Sequence, residues 1–279
     1  MLDAHQHFWD PAAADYPWLT DALAPIRRRF GPADLRPLLA AAGIERTVLV
    51  QCRSDLAETR EFLAIAAAHE FVAGVVGWVD LTAPAVAETL AELRAGPGGA
   101  KLVGIRHQVH DEPDPDWLRR PEVRRGLAAV ERAGLGYDLL VRPRELPAAL
   151  ETVRALPNLR FVIDHLAKPP IRTGEVEPWA ERLAPFAGLA HVAAKLSGLV
   201  TEADWQRWQP VDLRPYVDRA LAWFGPDRLL FGSDWPVCLL AAPYERVLAT
   251  ARELTAALSP DERARVFGGN AARVYRLGV

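Results

Sequence analysis

The chain of 279 residues is longer than the usual single domain, yet within what one α/β barrel occupies. Half of it is hydrophobic and a quarter charged, which excludes a disordered chain, a collagen-like repeat and a coiled coil. A formal charge of −3 gives no electrostatic case for nucleic acid or an acidic membrane, and no apolar run reaches the ~20 residues of a transmembrane helix.

The opening Met1-Leu2-Asp3-Ala4-His5 carries neither the basic start nor the apolar stretch of a signal peptide, so a cytoplasmic protein is expected. Two cysteines, Cys52 and Cys238, are too few for a disulfide framework and are expected to be reduced packing residues. Of the 33 basic residues Lys101, Lys168 and Lys195 alone are lysines. Surface charge therefore falls to arginine, and a lysine in a strand invites a question. Lys101, beside Gly98-Gly99, reads as a surface residue.

In chain order, short β-branched runs recur at Leu2–His7, Thr47–Cys52, Val72–Val79, Leu102–Val109, Gly136–Val141, Arg160–His165, Val192–Leu199 and Leu229–Asp234. Between them lie Ala/Leu/Arg/Glu-rich stretches with helical spacing: Asp34–Ala42, Leu56–His69, Val86–Ala95, Glu122–Ala133, Arg144–Ala155, Pro178–Phe186, Leu213–Phe224 and Tyr244–Ala257. A ninth helix opens at Ser259-Pro260-Asp261-Glu262, with Ser as N-cap and Glu completing a capping box, breaks at Gly268-Gly269 and restarts at Asn270. Several strands are apolar almost throughout, which suits a parallel sheet covered on both faces. Eight strand-then-helix units with no composition break predict one closed (β/α)8 TIM-like barrel over residues 1–279. The open doubly wound alternative lacks its Gly-x-Gly-x-x-Gly after the first strand. The polar loops Asp111–Asp116, Lys168–Glu177 and Thr201–Pro210 follow strands four, six and seven, on a barrel's catalytic face.

The chemistry sits at strand ends. His5-Gln6-His7 closes the first strand, and residues two apart share a face, so both imidazoles can converge on one ion or oxygen while Gln6 faces away. The bland alternative is two polar loop residues. Phe231-Gly232-Ser233-Asp234-Trp235-Pro236 ends the eighth strand, which neighbours the first in a closed barrel. Asp234 thus lands beside His5 and His7, where it can ligate a metal or take a proton; otherwise it is a helix N-cap. In Phe161-Val162-Ile163-Asp164-His165, alternation groups His165 with Phe161 and Ile163 and puts Asp164 on the opposite side. If Phe161 and Ile163 fill the barrel, His165 caps its mouth, with Lys168 in the next loop. Arg106 and His107 point to opposite faces of strand four, so at most one enters along the regular strand. Lys195 shares a face with Ser197, and a buried lysine is costly unless paired or used. These cations suit an anionic intermediate or an oxygen-rich substrate, or else ion pairs. Trp9, Trp205, Trp208 and Trp235 lie in or beside strand-end loops and suit sugar rings, although most tryptophans are packing residues.

These segments, together with Gly74-Val75-Val76-Gly77-Trp78-Val79-Asp80-Leu81, Gly104-Ile105-Arg106-His107, Tyr137-Asp138-Leu139-Leu140, Asp164-His165-Leu166-Ala167-Lys168-Pro169-Pro170, Lys195-Leu196-Ser197-Gly198-Leu199 and Gly269-Asn270-Ala271, resemble in order the amidohydrolase superfamily. Within it the chain is similar to the sugar-lactonase branch of L-fuconolactonase-like proteins. The resemblance implies a (β/α)8 barrel of the metal-dependent hydrolase type that opens an aldonolactone, such as L-fuconolactone, to its acid. It puts the His-x-His motif on His5 and His7, the strand-six histidine on His165 and the catalytic aspartate on Asp234. Asp234 would activate water, with His165 and His107 assisting, and Arg106, Lys168, Lys195, Trp9 and Trp235 would contact substrate. Two departures follow. Strand four carries Arg106-His107 where binuclear members carry a bridging carboxylated Lys or Glu, and strand five offers no histidine. A bridged metal pair is therefore not expected. His5, His7 and Asp234 are expected to hold one divalent ion, zinc or manganese, with metal-independent catalysis, as in related lactonases, left open. The expected partner is a small sugar lactone, with no nucleic acid or membrane and with homo-oligomerisation open. The alternatives are a relative acting on another bond (a pyrone-type lactonase, decarboxylase or amide hydrolase) and a non-catalytic barrel.

Overall fold

The apolar runs form eight strands in the computed structural model, which describes residues 1–278: β1 (Leu2–Gln6), β2 (Arg46–Val50), β3 (Val72–Gly77), β4 (Leu102–His107), β5 (Gly136–Leu139), β6 (Arg160–Ile163), β7 (Val192–Leu196) and β8 (Leu229–Phe231). All neighbours pair in parallel and in sequence order. The backbone past β8 closes the ring onto β1: Asp234 N–H donates to the His5 carbonyl at 2.9 Å and His7 N–H to the Trp235 carbonyl at 2.7 Å. This is the (β/α)8 barrel expected from the alternation.

The crossovers are α1 (Pro32–Ala42), α2 (Leu56–Ala68), α3 (Val86–Ala95), α4 (Pro121–Arg132), α5 (Leu146–Ala155), α6 (Trp179–Leu183), α7 (Leu199–Glu202), α8 (Pro210–Phe224) and α9 (Tyr244–Leu254). The chain ends with α10 (Pro260–Ala264), one wider turn over Arg265–Gly269, and α11 (Asn270–Val274). The Ser259 hydroxyl accepts from Glu262 N–H at 3.3 Å and the Glu262 carboxylate from Ser259 N–H at 2.7 Å, so the capping box forms as read. Expected strands overran at their C-terminal ends. β7 stops at Leu196, and the tail read as strand turns at Gly198 into α7, which begins at Leu199. Both cysteines are free and buried. No helix among the described residues is long and apolar enough to cross a membrane.

Two apolar clusters divide the strands by parity. Leu2, Ala4, Val48, Val50, Val76, Val162, Ala193 and Leu230 pack together inside the barrel, with Ala271, Val274 and Tyr275 plugging its bottom. Leu49, Val75, Ile105, Tyr137, Phe161, Ile163, Ala194 and Phe231 belong to the larger cluster under the helices. This corrects the parity read for β6: Val162, rather than Phe161 and Ile163, fills the barrel. In β1 the register to β2 gains one residue between Asp3 and Gln6, since Asp3 opposes Thr47 and Gln6 opposes Leu49. Such an extra residue re-aims side chains. It lets Ala4 face the interior below and His5 the pocket above.

Candidate active site

His5 and His7 converge as their spacing predicts, with Nε2 atoms 3.0 Å apart, while Gln6 faces outward and donates to Thr47. His7 Nδ1–H donates to the Val50 carbonyl at 2.7 Å, which leaves its Nε2 lone pair aimed at the centre. Asp234 adopts a left-handed backbone, φ 57°, and its Oδ1 lies 3.3 Å from His7 Nε2, 3.8 Å from His5 Nε2 and 3.9 Å from His165 Nε2. Burial alone would raise the Asp234 pKa, but His165, His7 and His5 together hold the carboxyl below the usual range.

His165 reaches this centre by a route that strand alternation does not describe. β6 ends at Ile163, and His165, Leu166, Ala167 and Lys168 all have φ between 49° and 60°. Four consecutive left-handed residues are strained, as active-site backbone often is. The His165 Nδ1 meets the Ser197 hydroxyl at 2.8 Å. Gly198, at φ 63°, lies so close that a Cβ there would sit 2.5 Å from the ring. Burial lowers the His165 pKa to about 4, so the ring is neutral at pH 7.

Asp164, placed on the far side by alternation, instead enters the barrel behind Val162. It accepts from Arg106 Nη1 at 2.9 Å, and its Oδ1 lies 2.9 Å from Lys195 Nζ and 3.4 Å from His5 Nδ1. Lys195 is fully buried between Asp164, Asp138 (2.6 Å) and His5 Nδ1 (3.0 Å). Tyr275, from the bottom plug, donates to Asp138. Arg106 enters and His107 does not, in keeping with their opposite faces. Arg106 Nε and Nη2 reach Gln51 Oε1 at 3.1 and 2.9 Å. Burial raises the Asp138 pKa despite Lys195, whereas Lys195, His5 and Arg106 overcome burial to hold Asp164 well below the carboxylate range.

Four expected site residues lie outside this constellation. His107 accepts from Trp78 Nε1 at 2.9 Å, meets Glu112 at 2.8 Å and stacks on Trp117, because its side chain leaves the opposite face of β4. Trp9 and Trp235 are packing residues rather than open platforms. Trp9 is buried and spends its indole N–H on the Ile26 carbonyl, and Trp235 is edge-on to Phe8 and Phe30. Lys168 is at the mouth, ion-paired to Glu202. Asp164, Asp138, Gln51 and Ser197 carried no role in the sequence reading. For Asp138 a signal existed: a lone acid in an otherwise apolar strand.

The donor set of His5, His7 and Asp234 fits one divalent ion. Ligands at ~2.0–2.2 Å around a tetrahedral ion lie roughly 3.3 Å from one another; here the separations are 3.0, 3.3 and 3.8 Å. His5 Nδ1 lies between Lys195 Nζ at 3.0 Å and Asp164 Oδ1 at 3.4 Å, and His5 would ligate through Nε2 in the tautomer whose Nδ1–H turns to Asp164. A second grouping, His5, Asp164 and His165, has comparable spacing. Lys195 and Arg106 already neutralise Asp164 there, which disfavours a second cation.

A buried carboxylate among imidazoles at the mouth of a closed barrel defines a hydrolase-type centre, and a family profile described as amidohydrolase matches residues 2–277. The chain belongs to the amidohydrolase family. It is 44% identical to an L-fucono-1,5-lactonase of Burkholderia ambifaria, over 99% of this chain and 95% of that one. It is 42% identical to an L-fucono-1,5-lactonase of Burkholderia multivorans, over 99% and 96%. A crystal structure of a Burkholderia multivorans amidohydrolase with bound zinc superposes with a TM-score of 0.93 at 40% identity, covering 99% of each chain.

Proposed function

We propose that this chain, as a single barrel domain, hydrolyses a sugar aldonolactone, L-fucono-1,5-lactone foremost, to the open aldonic acid in carbohydrate catabolism. The observation that carries the reading is the buried Asp234 carboxylate within 3.3–3.9 Å of three imidazole nitrogens. The names of the relatives at 44% and 42% identity support the substrate class. Two free buried cysteines suit a reducing compartment, which fits the cytoplasm.

In this mechanism Asp234 accepts a proton from the water whose oxygen attacks the lactone carbonyl. His165 is neutral, and if the Ser197 hydroxyl donates to its Nδ1, its Nε2–H points to the centre and stabilises the developing oxyanion. Collapse breaks the ring C–O bond, and the ring oxygen leaves as a hydroxyl by taking the proton that Asp234 received from the water, which restores the carboxylate. Arg106 and Lys195 sit below, tied to Gln51, Asp138 and Asp164, and hold His5 in place. A zinc or manganese ion held by His5, His7 and Asp234 would supply Lewis-acid polarisation. Because Arg106 is already engaged by Gln51 and Asp164, the centre presents no free guanidinium of the kind a pyrone-type dicarboxylate lactonase needs.

The test is hydrolysis of L-fucono-, L-rhamnono-, D-galactono- and L-arabinonolactone, with and without chelator. L-Fuconolactone is expected to turn over fastest, with Asp234→Asn lowering kcat on the order of 10⁴-fold at unchanged circular dichroism. No acceleration on any lactone overturns the reading.

A further inference from the structure

Three of the strands that build the centre, β1, β2 and β4, run on into the walls of one cleft. β1 supplies His5 and His7, and the loop after it carries Asp15 and Trp18. β2 ends in Val50, which holds His7, and leads through Gln51, which holds Arg106, to Arg53 and Asp55. β4 delivers Arg106 and leads to Gln108 and Asp111. These six side chains line a cleft of about 390 Å³ at the strands' C-terminal ends, large enough for a small ligand. Trp18 is fixed by donating Nε1–H to the Cys52 carbonyl at 3.0 Å, edge-on to Trp9, whose ring is in turn 6.4 Å from that of His7.

The charge of this cleft is one-sided. Three carboxylates face one guanidinium, and that guanidinium is committed: Arg53 Nη2 lies 2.6 Å from Asp55, and its Nε 3.7 Å from the buried Glu58. Asp15 and Asp111 are exposed; Asp111 has one oxygen 3.2 Å from His110 Nε2 and the other 3.5 Å from the Gln108 amide, which leaves the remaining lone pairs and the second amide hydrogen for a ligand. Lys168 and Arg142 act on Asp111 from beyond the lining, and Lys168 is itself paired to Glu202. Within the lining itself carboxylates outnumber cations three to one, with Arg142 the one unpaired guanidinium nearby among the described residues, and such acceptors suit hydroxyl groups and disfavour a carboxylate.

We infer that this cleft is the specificity pocket for the hydroxyl-bearing part of a neutral lactone, with Asp15, Asp111 and Gln108 reading its hydroxyls. It discriminates against lactones that carry an additional ionised carboxylate. The inference rests on the lactonase reading above.

The experiment compares a neutral six-carbon aldonolactone with the lactone of the corresponding aldaric acid. kcat/KM is measured on the wild type, Asp15→Asn, Asp111→Asn and the double variant, and binding of the non-hydrolysable lactam of each is measured by calorimetry. Both carboxylates are exposed, so melting temperatures should not move. The wild type should favour the neutral lactone at least 100-fold, chiefly through KM. Each Asn should narrow that ratio roughly tenfold, and added salt should narrow it further. An equal or reversed wild-type ratio, or a ratio the double variant leaves unchanged, overturns the inference while leaving the lactonase reading standing. If neither lactone is hydrolysed but the lactams show the same preference and response, the lactonase reading falls and the pocket stands. Neither hydrolysis nor lactam binding overturns both.

Discussion

Lys195 is the residue on which the interior of the pocket turns. Its ammonium is completely buried and lies within 2.6–3.0 Å of Asp138, Asp164 and His5. A buried charge left without its partner is strongly destabilising, because the low-dielectric interior cannot solvate it. Lys195→Met leaves two carboxylates facing each other with Arg106 alone to neutralise them. The variant is expected to lose about 3–5 kcal/mol of unfolding free energy, read from the midpoint of a urea titration. A loss below about 1 kcal/mol would mean that water, not Lys195, solvates the acids. The sequence made the question visible, since one of only three lysines stands in an apolar strand. It did not name the partners. Asp138 and Asp164 come from β5 and from the end of β6, and nothing local ties either to position 195.

At the scale of elements, the β2–α2 connection shows how one buried acid shapes a loop. Glu58, in the first turn of α2, accepts from the backbone N–H of Cys52 and Arg53 at 2.8 and 2.9 Å, and so fixes the wall of the cleft. Burial raises its pKa to about 7, against the hydrogen bonds that favour the ionised form. The folded pKa lies above the unfolded one, so the native state holds this proton more tightly. The stabilisation is complete below pH 4.5 and is lost as pH rises through about 7. Glu58→Gln cannot ionise. Its melting temperature relative to wild type is expected to be higher at pH 8 than at pH 4, and an identical difference at both pH values would refute the shift. β6 gives the other lesson of this scale. Its period-2 pattern was legible, but its parity was not, because Phe161 and Val162 are both apolar and either suits a barrel interior. The four left-handed residues after Ile163 then carry His165 inward beside Asp164, a path that alternation cannot foresee.

The whole molecule is a ring whose seam lies at the active site. The candidate ligands come from the first strand and from the residues after the last, so an ion between them would join the ends of the sheet. Binding to the native state alone raises stability by RT ln(1 + [L]/Kd), which is about 2.7 kcal/mol at a hundredfold excess over Kd. Added zinc is therefore expected to bind at one equivalent per chain and to raise the melting temperature with concentration. His7→Ala should abolish the increment without lowering the melting temperature of the metal-free chain by as much. Two equivalents bound, or an increment that survives in His7→Ala, would contradict the single site.

What the sequence determined by itself was local: the strand–helix alternation, the capping box at Ser259, and the His-x-His pair, whose two-residue spacing sets a common face wherever the strand lies. It also brought Asp234 to that pair, since parallel strands in chain order leave the eighth beside the first. Tertiary structure alone decided which polar residues at strand ends look inward. The parity of β6 admits Asp164, the left-handed turn after it brings in His165, and packing against Trp78 and Trp117 keeps His107 out. Inward or outward is a parity, and one inserted residue or one turn of backbone imposed by distant neighbours is enough to reverse it.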